Sequence, residues 1–209
     1  MHILIADDHA VVRRGLREIL ADVFSAARFS EAGNGDQVIH VLGHSQIDVL
    51  VLDINMPGRS GLEVLSDVKH LYPRLPVIVL SVQPEEQYAV RCLRAGAAAY
   101  INKDSAPEEL AQATRKVLAG GRYVSAGLAE RLAARFDESI DKPLHEQLSN
   151  REYEVLRMIA SGVPLTEIAE RLHVSVKTVS SYRARITEKM QMKSNAELIR
   201  YALAHKLID

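Results

Sequence analysis

The stretch that most constrains the fold is residues 48–58, DVLVLDINMPG. Residues 49–52 form a continuous apolar run, which is typical of a strand buried on both faces of a parallel sheet. The run ends in Asp53, and a Pro-Gly turn follows shortly after it. Ligands of open α/β sheets bind where the strands end, so Asp53 is a candidate functional residue. Alternatively, Asp53 only caps the helix that follows.

Strand-like and helix-like segments alternate through the first 120 residues or so. Five short segments are predicted as strands and end at Asp8, Ala32, Asp53, Ser81 and Lys103. Each is followed by a segment with helical apolar spacing. Ser105 is predicted to cap the last of these helices, which Pro107 opens. This alternation predicts an α/β fold with a doubly wound, five-stranded parallel sheet.

The pattern changes after residue 148, where only short helices are predicted, at about 149–161, 165–172, 175–190 and 194–205. Between the two regions, residues 125–136 have helical spacing and a polar stretch follows them. We therefore predict a first domain over 1–122, a helical linker over 123–147 and a small all-α domain over 148–209.

Composition excludes several classes of protein. The single cysteine, Cys92, permits neither an intrachain disulfide nor a cysteine-based zinc site, and its helical surroundings predict a packing role. No apolar window is long enough to cross a membrane, so a soluble, cytoplasmic protein is expected. The net charge is only −1, but residues 173–193 hold five basic residues and one acidic residue. That cluster predicts one face that meets a polyanion.

The polar residues of the first domain follow the predicted strands. Asp7 and Asp8 end the first strand, Asp53 the third, Ser81 the fourth and Lys103 the fifth. Parallel strands bring these side chains to one edge, where three carboxylates repel one another unless a cation lies among them. Oxygen ligands favour Mg²⁺. An aspartate beside a divalent ion, a lysine and a hydroxyl suits nucleophilic attack on phosphorus.

Residues 1–122 resemble the receiver domain of two-component response regulators, through IADDH, DINMPG, the position of Ser81, and a tyrosine three residues before Lys103. The resemblance implies a flavodoxin-like sheet and a phosphoryl group accepted on Asp53 from a sensor histidine kinase. It also implies that Asp8 and Asp53 bind Mg²⁺ directly, that Asp7 assists, and that the backbone carbonyl of Asn55 is a further ligand.

By the same resemblance, three more residues complete the receiver site. Ser81 would turn to the phosphoryl oxygen, Tyr100 would move inward behind it as a switch, and Lys103 would pair with the phosphate. The sequence departs from many receivers at Asp104, where they carry proline, so a cis peptide bond is not expected there.

The second domain has the pattern of a helix–turn–helix. Ser149 and Glu152 predict a capping box, and a short helix, a tight turn and a longer helix follow at 165–190. The apolar residues of the longer helix, predicted to face the core, are Val176, Val179, Ile186 and Met190. Its outer side is small, polar and basic, which suits the major groove of DNA. The charges alone equally suit a helical bundle with a solvated basic face.

Residues 148–192 resemble the LuxR-type output domain, so the whole chain resembles a response regulator of the NarL/FixJ class. The resemblance implies phosphate contacts at Lys177 and Thr178 and base contacts at Ser180, Ser181 and Ala184. The basic residues Arg185 and Lys189 complete the predicted contacts with double-stranded DNA. The last helix either pairs two output domains or only covers the core.

The predicted protein is a transcription factor controlled by phosphorylation, and not an enzyme beyond Mg²⁺-dependent self-phosphorylation and self-dephosphorylation. Phosphorylation would either release the longer helix of the helix–turn–helix, which recognises DNA, from the first domain or promote a homodimer. One alternative is a phosphatase with an aspartyl nucleophile, but such enzymes carry DxD on the first strand and this chain does not. Another is a DNA-binding protein that needs no phosphorylation.

Overall fold

The structure is a computed structural model that describes residues 1–56, 59–83, 85–130 and 143–208. The chain divides into two compact units, residues 1–138 and 139–209. The proposed domain limits, 1–122 and 148–209 around a linker, remain a prediction.

The first unit is built on a five-stranded parallel sheet. The strand order is β2-β1-β3-β4-β5, and all four pairs are parallel. Every residue of β3 and β4 is buried, as the continuous apolar runs predict. The strands are β1 (His2–Ala6), β2 (Arg28–Ala32), β3 (Val49–Asp53), β4 (Val77–Ser81) and β5 (Ala99–Asn102). The predicted fold class is thereby confirmed.

Five helices connect and cover the strands. Alternate side chains of the sheet pack with apolar residues of the first and fifth helices, because successive residues of a strand point to opposite faces. Cys92 is fully buried in the fourth helix, as expected of a packing residue. The helices are α1 (Ala10–Val23), α2 (Gly35–His44), α3 (Gly61–Leu71), α4 (Glu85–Arg94) and α5 (Ala106–Leu118).

The start of α5 differs from the sequence prediction. Ser105 stands at the N-cap position, but its side chain makes no capping hydrogen bond and donates instead to the carbonyl of Asn102. A 3-10 turn over Lys103–Ser105 precedes the helix, and Asn102 caps that turn by accepting from the backbone N–H of Asp104. The capping side chain is therefore Asn102, one turn before α5, and it fixes the backbone of the turn that contains Lys103.

The first part of the predicted linker packs on the first unit. The backbone N–H of Tyr123 donates to the carbonyl of Ala98, beside β5. Ser125 donates to the Glu85 carboxylate at 2.8 Å and accepts from the N–H of Leu128. Residues 126–130 are helical, and the rest of the predicted helix lies outside the described residues.

Residues 143–208 of the second unit contain a 3-10 turn (Leu144–Gln147) followed by α6 (Asn150–Ala160), α7 (Leu165–Arg171), α8 (Val176–Lys189) and α9 (Asn195–Ala204). The predicted capping box is present at the start of α6. Val179, Ile186 and Met190 are buried as predicted, but Val176 is 43% exposed. The core prediction for Val176 is wrong, since this first residue of α8 lies at the exposed start of the helix.

Gly61 permits a close approach between α3 and the backbone after β3. Its N–H donates to the Ile54 carbonyl at 3.1 Å. A Cβ atom at this position would lie 2.3 Å from the Ile54 Cα atom and 2.5 Å from the Asp53 carbonyl oxygen. Neither neighbour is a flexible side chain, so the backbone that carries Asp53 would have to shift.

We therefore expect Gly61→Ala to lower the free energy of unfolding by about 2 kcal/mol, the usual scale of overpacking. The matched control is Gly15→Ala within α1, where a Cβ meets nothing within 4 Å. That control should raise the free energy of unfolding by about 0.5–1 kcal/mol through helix propensity. Urea unfolding of the full chain measures both changes, and equal stability of the two variants would contradict the close approach.

Candidate functional site

Two carboxylates and one ammonium group meet at the carboxyl edge of the sheet. Asp7 follows β1 and Asp53 ends β3, and neither is more than 1% exposed. The Lys103 Nζ atom donates to Asp7 Oδ2 at 2.6 Å and to Asp53 Oδ2 at 2.8 Å. Since β4 lies between β3 and β5, the lysine extends across one strand to reach Asp53. The structure thus brings together three of the predicted site residues.

The charge balance of this cluster is negative. Burial raises the pKa of Asp53, the hydrogen bonds from Lys103 and from the Asn55 N–H oppose that rise, and the charge of Asp7 adds to it. Burial lowers the pKa of Lys103, but its bonds to the two carboxylates outweigh that effect, so the net shift is upward. Both directions follow from two buried carboxylates that share one half-buried cation.

Asp8 and His9 form the outer part of the acidic group. The His9 Nδ1 atom lies 2.9 Å from Asp8 Oδ1 and 3.4 Å from Asp7 Oδ1, and the three side chains offer ligand atoms within 4.8 Å of one another. Asn55 is exposed, and its backbone N–H donates to Asp53 Oδ1 at 3.0 Å. The oxygen-rich donor set fits a hard divalent cation such as Mg²⁺.

Ser81 and Tyr100 are both fully buried, and both bind the backbone of Gln83. The Ser81 Oγ atom accepts from the Gln83 N–H at 3.0 Å, and the Tyr100 hydroxyl donates to the Gln83 carbonyl at 2.8 Å. Burial raises the pKa of Tyr100, which keeps the hydroxyl protonated as a donor. The tyrosine ring is therefore inside the first unit and is joined to the loop after β4.

The second unit presents a polar helix face on α8. Lys177, Ser180, Ser181, Ala184 and Arg185 are all exposed. Thr178 is half-buried, and its N–H and hydroxyl both bind the N-cap residue of the helix. Lysine and arginine beside small polar residues can reach phosphates and base edges in a groove.

Lys189 belongs to a different part of the second unit. Its Nζ atom donates to Glu152 Oε2 at 2.6 Å, and the same carboxylate oxygen accepts from the Ser149 N–H in the capping box. Burial raises the pKa of Glu152, but the bonds from Lys189 and Ser149 more than compensate, so the net shift is downward. The structure therefore engages Lys189 in holding α8 against α6, and its predicted phosphate contact stays untested.

Family comparisons agree with both units. Residues 3–115 match the response regulator receiver domain, and residues 146–202 match the luxR family of bacterial regulatory proteins. The chain is a response regulator. More fully, it belongs to the DNA-binding response regulators of two-component systems, in the NarL/FixJ class, which confirms the predicted family. Members of this family act as phosphoacceptors and transcription regulators.

Relatives match the response regulator over its whole length. It is 33% identical to response regulator UvrY of Escherichia coli K12, over 100% of this chain and 96% of that protein. It is 38% identical to the oxygen regulatory protein NreC of Staphylococcus haemolyticus, over 100% of both chains. RcsB of Salmonella enterica, bound to promoter rprA in the presence of the phosphomimetic BeF₃⁻, has a TM-score of 0.65 and 28% identity over 96% of this chain and 98% of that one.

Sequence reasoning missed three supporting residues of this response regulator. Asn102 caps the turn that carries Lys103, and the Arg13 Nη1 atom donates to the Asp7 backbone carbonyl at 2.8 Å. His9 contacts both neighbouring carboxylates. An Asn directly before the lysine is an available signal for the cap, whereas the Arg13 contact depends on how α1 packs.

Across the described residues, no helix has both the length and the apolarity to cross a membrane.

Because burial raises the pKa of Asp53, its ionisation costs stability in the folded state. The contribution of Asp53 to the free energy of unfolding is therefore expected to fall as pH rises from its ordinary pKa of 3.8 through the raised pKa. Asparagine does not titrate, and Lys103 keeps Asp7 as its partner in the variant. We therefore expect Asp53→Asn to raise the free energy of unfolding, with a larger gain at about pH 8 than at about pH 4.5.

Urea unfolding of the full chain, followed through methyl NMR signals of Leu50 and Leu52 in β3, reports this effect from the first unit itself. The exposed Asp22 at the end of α1 provides the matched control Asp22→Asn, which should show no such pH dependence. A loss of stability in Asp53→Asn that is equal at both pH values would contradict the stated charge balance.

Proposed function

We propose that Asp53 accepts a phosphoryl group from a sensor histidine kinase and that the phosphorylated protein controls transcription by binding double-stranded DNA through α8. The observation that carries the proposal is the placement of Lys103, whose ammonium group already contacts the candidate nucleophile at 2.8 Å. A cation in that position can pair with an added phosphate. Phosphoryl transfer needs little beyond such positioning and charge stabilisation.

The chemical step is a displacement at phosphorus. A carboxylate oxygen of Asp53 forms the new P–O bond while the P–N bond of the phosphohistidine breaks, and the imidazole nitrogen leaves with the electron pair and takes up a proton. Asp53 must be ionised for this step. Lys103 favours the ionised form, while burial opposes it and keeps the carboxylate poorly solvated.

Mg²⁺ fits the acidic group as a cofactor. Asp8 and Asp53 would be its direct carboxylate ligands, Asp7 would assist, and the backbone carbonyl of Asn55 would complete the protein's share. Receiver domains typically use Mg²⁺ at this acidic pocket. When bound, the ion would neutralise charge on the phosphoryl oxygens. The carboxylates of this chain supply the hard oxygen donors that Mg²⁺ prefers.

Ser81 and Tyr100 are proposed to relay the phosphorylation. Both bind the backbone of Gln83, so a movement of Ser81 towards a phosphoryl oxygen would disturb the same loop residue that Tyr100 holds. The two contacts make the loop after β4 a candidate two-state element, which a local electrostatic change can bias.

The output step is proposed to be DNA binding by a homodimer. The exposed Lys177, Ser180, Ser181, Ala184 and Arg185 on α8 support a groove-facing helix. Thr178 and Lys189 belong to the same proposed set, although Lys189 would have to share its charge with Glu152. The relative RcsB has been solved with promoter DNA in the presence of a phosphomimetic. Two such helices in a dimer would read half-sites about one DNA turn apart.

The same site would also support phosphoryl transfer without a kinase. We expect self-phosphorylation from a small acyl phosphate and slow self-dephosphorylation by water, both dependent on Mg²⁺. This expectation gives a direct test that needs no kinase. The full-length protein is incubated with acetyl phosphate and Mg²⁺, and intact mass spectrometry measures the phosphoryl groups added.

The wild-type chain should gain one phosphoryl group, Asp53→Asn should gain none, and the exposed control Asp22→Asn should behave as the wild type. Because Asp53→Asn is expected to be more stable than the wild type, a missing phosphoryl group would not reflect a failure to fold. A phosphoryl group retained in Asp53→Asn would exclude Asp53 as the acceptor. No addition to any of the three chains would favour a regulator that needs no phosphorylation.

A further inference from the structure

A basic hollow lies at the amino edge of the sheet, opposite the edge that carries Asp53. We define the basic hollow by three basic side chains, one acid and two of the three glycines that line it: Lys69, Arg74, Arg122, Asp48, Gly96 and Gly120. Asp48 directly precedes β3 and Asp53 ends it, so a strand rise of about 3.3 Å per residue separates the two positions by about 16 Å. The basic hollow is therefore distinct from the phosphoacceptor site.

The charges of the basic hollow do not balance. Asp48 is the sole acid among the described residues that line it. Its carboxylate accepts from the backbone N–H of His2 at 2.7 Å and lies 3.9 Å from the N-terminal ammonium group of Met1, which also lines the hollow. In the described part of the chain, neither Arg74 nor Arg122 forms an ion pair or a side-chain hydrogen bond. Burial lowers the pKa of Lys69, and the nearby charge of Arg122 lowers it further. Three cations thus share one hollow with too little negative charge.

Lys69 is held firmly in this arrangement. Its Nζ atom donates to the carbonyls of Pro73 and Leu75 at 2.7 and 2.8 Å. Its stem lies against Gly96, where an added Cβ would come within 3.1 Å of the Lys69 Cγ atom. Two of the three ammonium donors are used in this way, which leaves one N–H for a ligand.

Helix ends provide a simpler reason for basic residues in this region. Lys69 does satisfy carbonyls beyond the end of α3, and cations near helix C-termini are generally favourable. That reason does not extend to Arg74 and Arg122, because neither donates to a carbonyl among the described residues. The two guanidinium groups therefore remain available to a ligand with several acceptor oxygens.

We infer that the basic hollow binds a small anion that carries a diphosphate group. Two guanidinium groups and one ammonium group line the same hollow, and phosphate oxygens accept several charge-assisted hydrogen bonds from such groups at once. Gly120 leaves open space beside the cations, since a Cβ at this position would meet nothing within 4 Å. The inference is independent of the proposed chemistry at Asp53.

The test uses the full-length protein with pyrophosphate as the probe, in EDTA and at constant ionic strength, so that no metal-dependent binding at Asp53 contributes. The NMR amide signals of Gly96 and Gly120 report on the basic hollow itself, which separates it from anion binding at the basic face of α8. We expect these two signals to shift saturably. Arg122→Gln should raise the Kd by at least about fivefold, since it removes charge-assisted hydrogen bonds.

The matched control is Arg14→Gln on α1, which removes an exposed arginine without a described partner and should leave the Kd unchanged. ADP serves as the second probe, because tighter binding of ADP than of pyrophosphate would assign the site to a nucleoside diphosphate. Equal binding would assign it to the diphosphate group alone. Glycine shifts that fail to saturate, or the same Kd in wild type and Arg122→Gln, would overturn the inference.

Discussion

The structure of the candidate site depends on one half-buried ammonium group between two buried carboxylates. Lys103 contacts Asp7 and Asp53 at 2.6 and 2.8 Å, and without it the two carboxylates would face each other away from water. The shared cation explains why both acids can lie at the end of buried strands. It also leaves the cluster with an excess negative charge, and this excess favours a second cation beside Asp7 and Asp8.

Much of this arrangement follows from the sequence, because parallel strands carry their final residues to one edge. The ends of the predicted strands alone place Asp7, Asp53 and Lys103 together. The unbroken apolar runs predict β3 and β4. Details set by packing could not be predicted in this way. Asn102, and not Ser105, provides the capping side chain before α5, and Val176 lies outside the core. Local sequence patterns do not report which neighbouring helices reach a given position.

The two edges of the sheet have opposite electrostatic character. The carboxyl edge concentrates acids around one lysine, whereas the amino edge gathers Lys69, Arg74 and Arg122 around one acid. The first arrangement suits a metal ion and a phosphoryl group, and the second suits a ligand that is itself an anion. The same parallel sheet therefore offers two sites of different chemistry, and each can be tested without the other.

We propose that a phosphoryl group on Asp53 changes the assembly of the whole protein. The most direct measurement is the molar mass in solution by light scattering, with and without acetyl phosphate and Mg²⁺, for the wild type and Asp53→Asn. We expect a donor-dependent shift from monomer to dimer in the wild type alone. A wild-type protein that carries phosphate on Asp53 and still remains monomeric would contradict it.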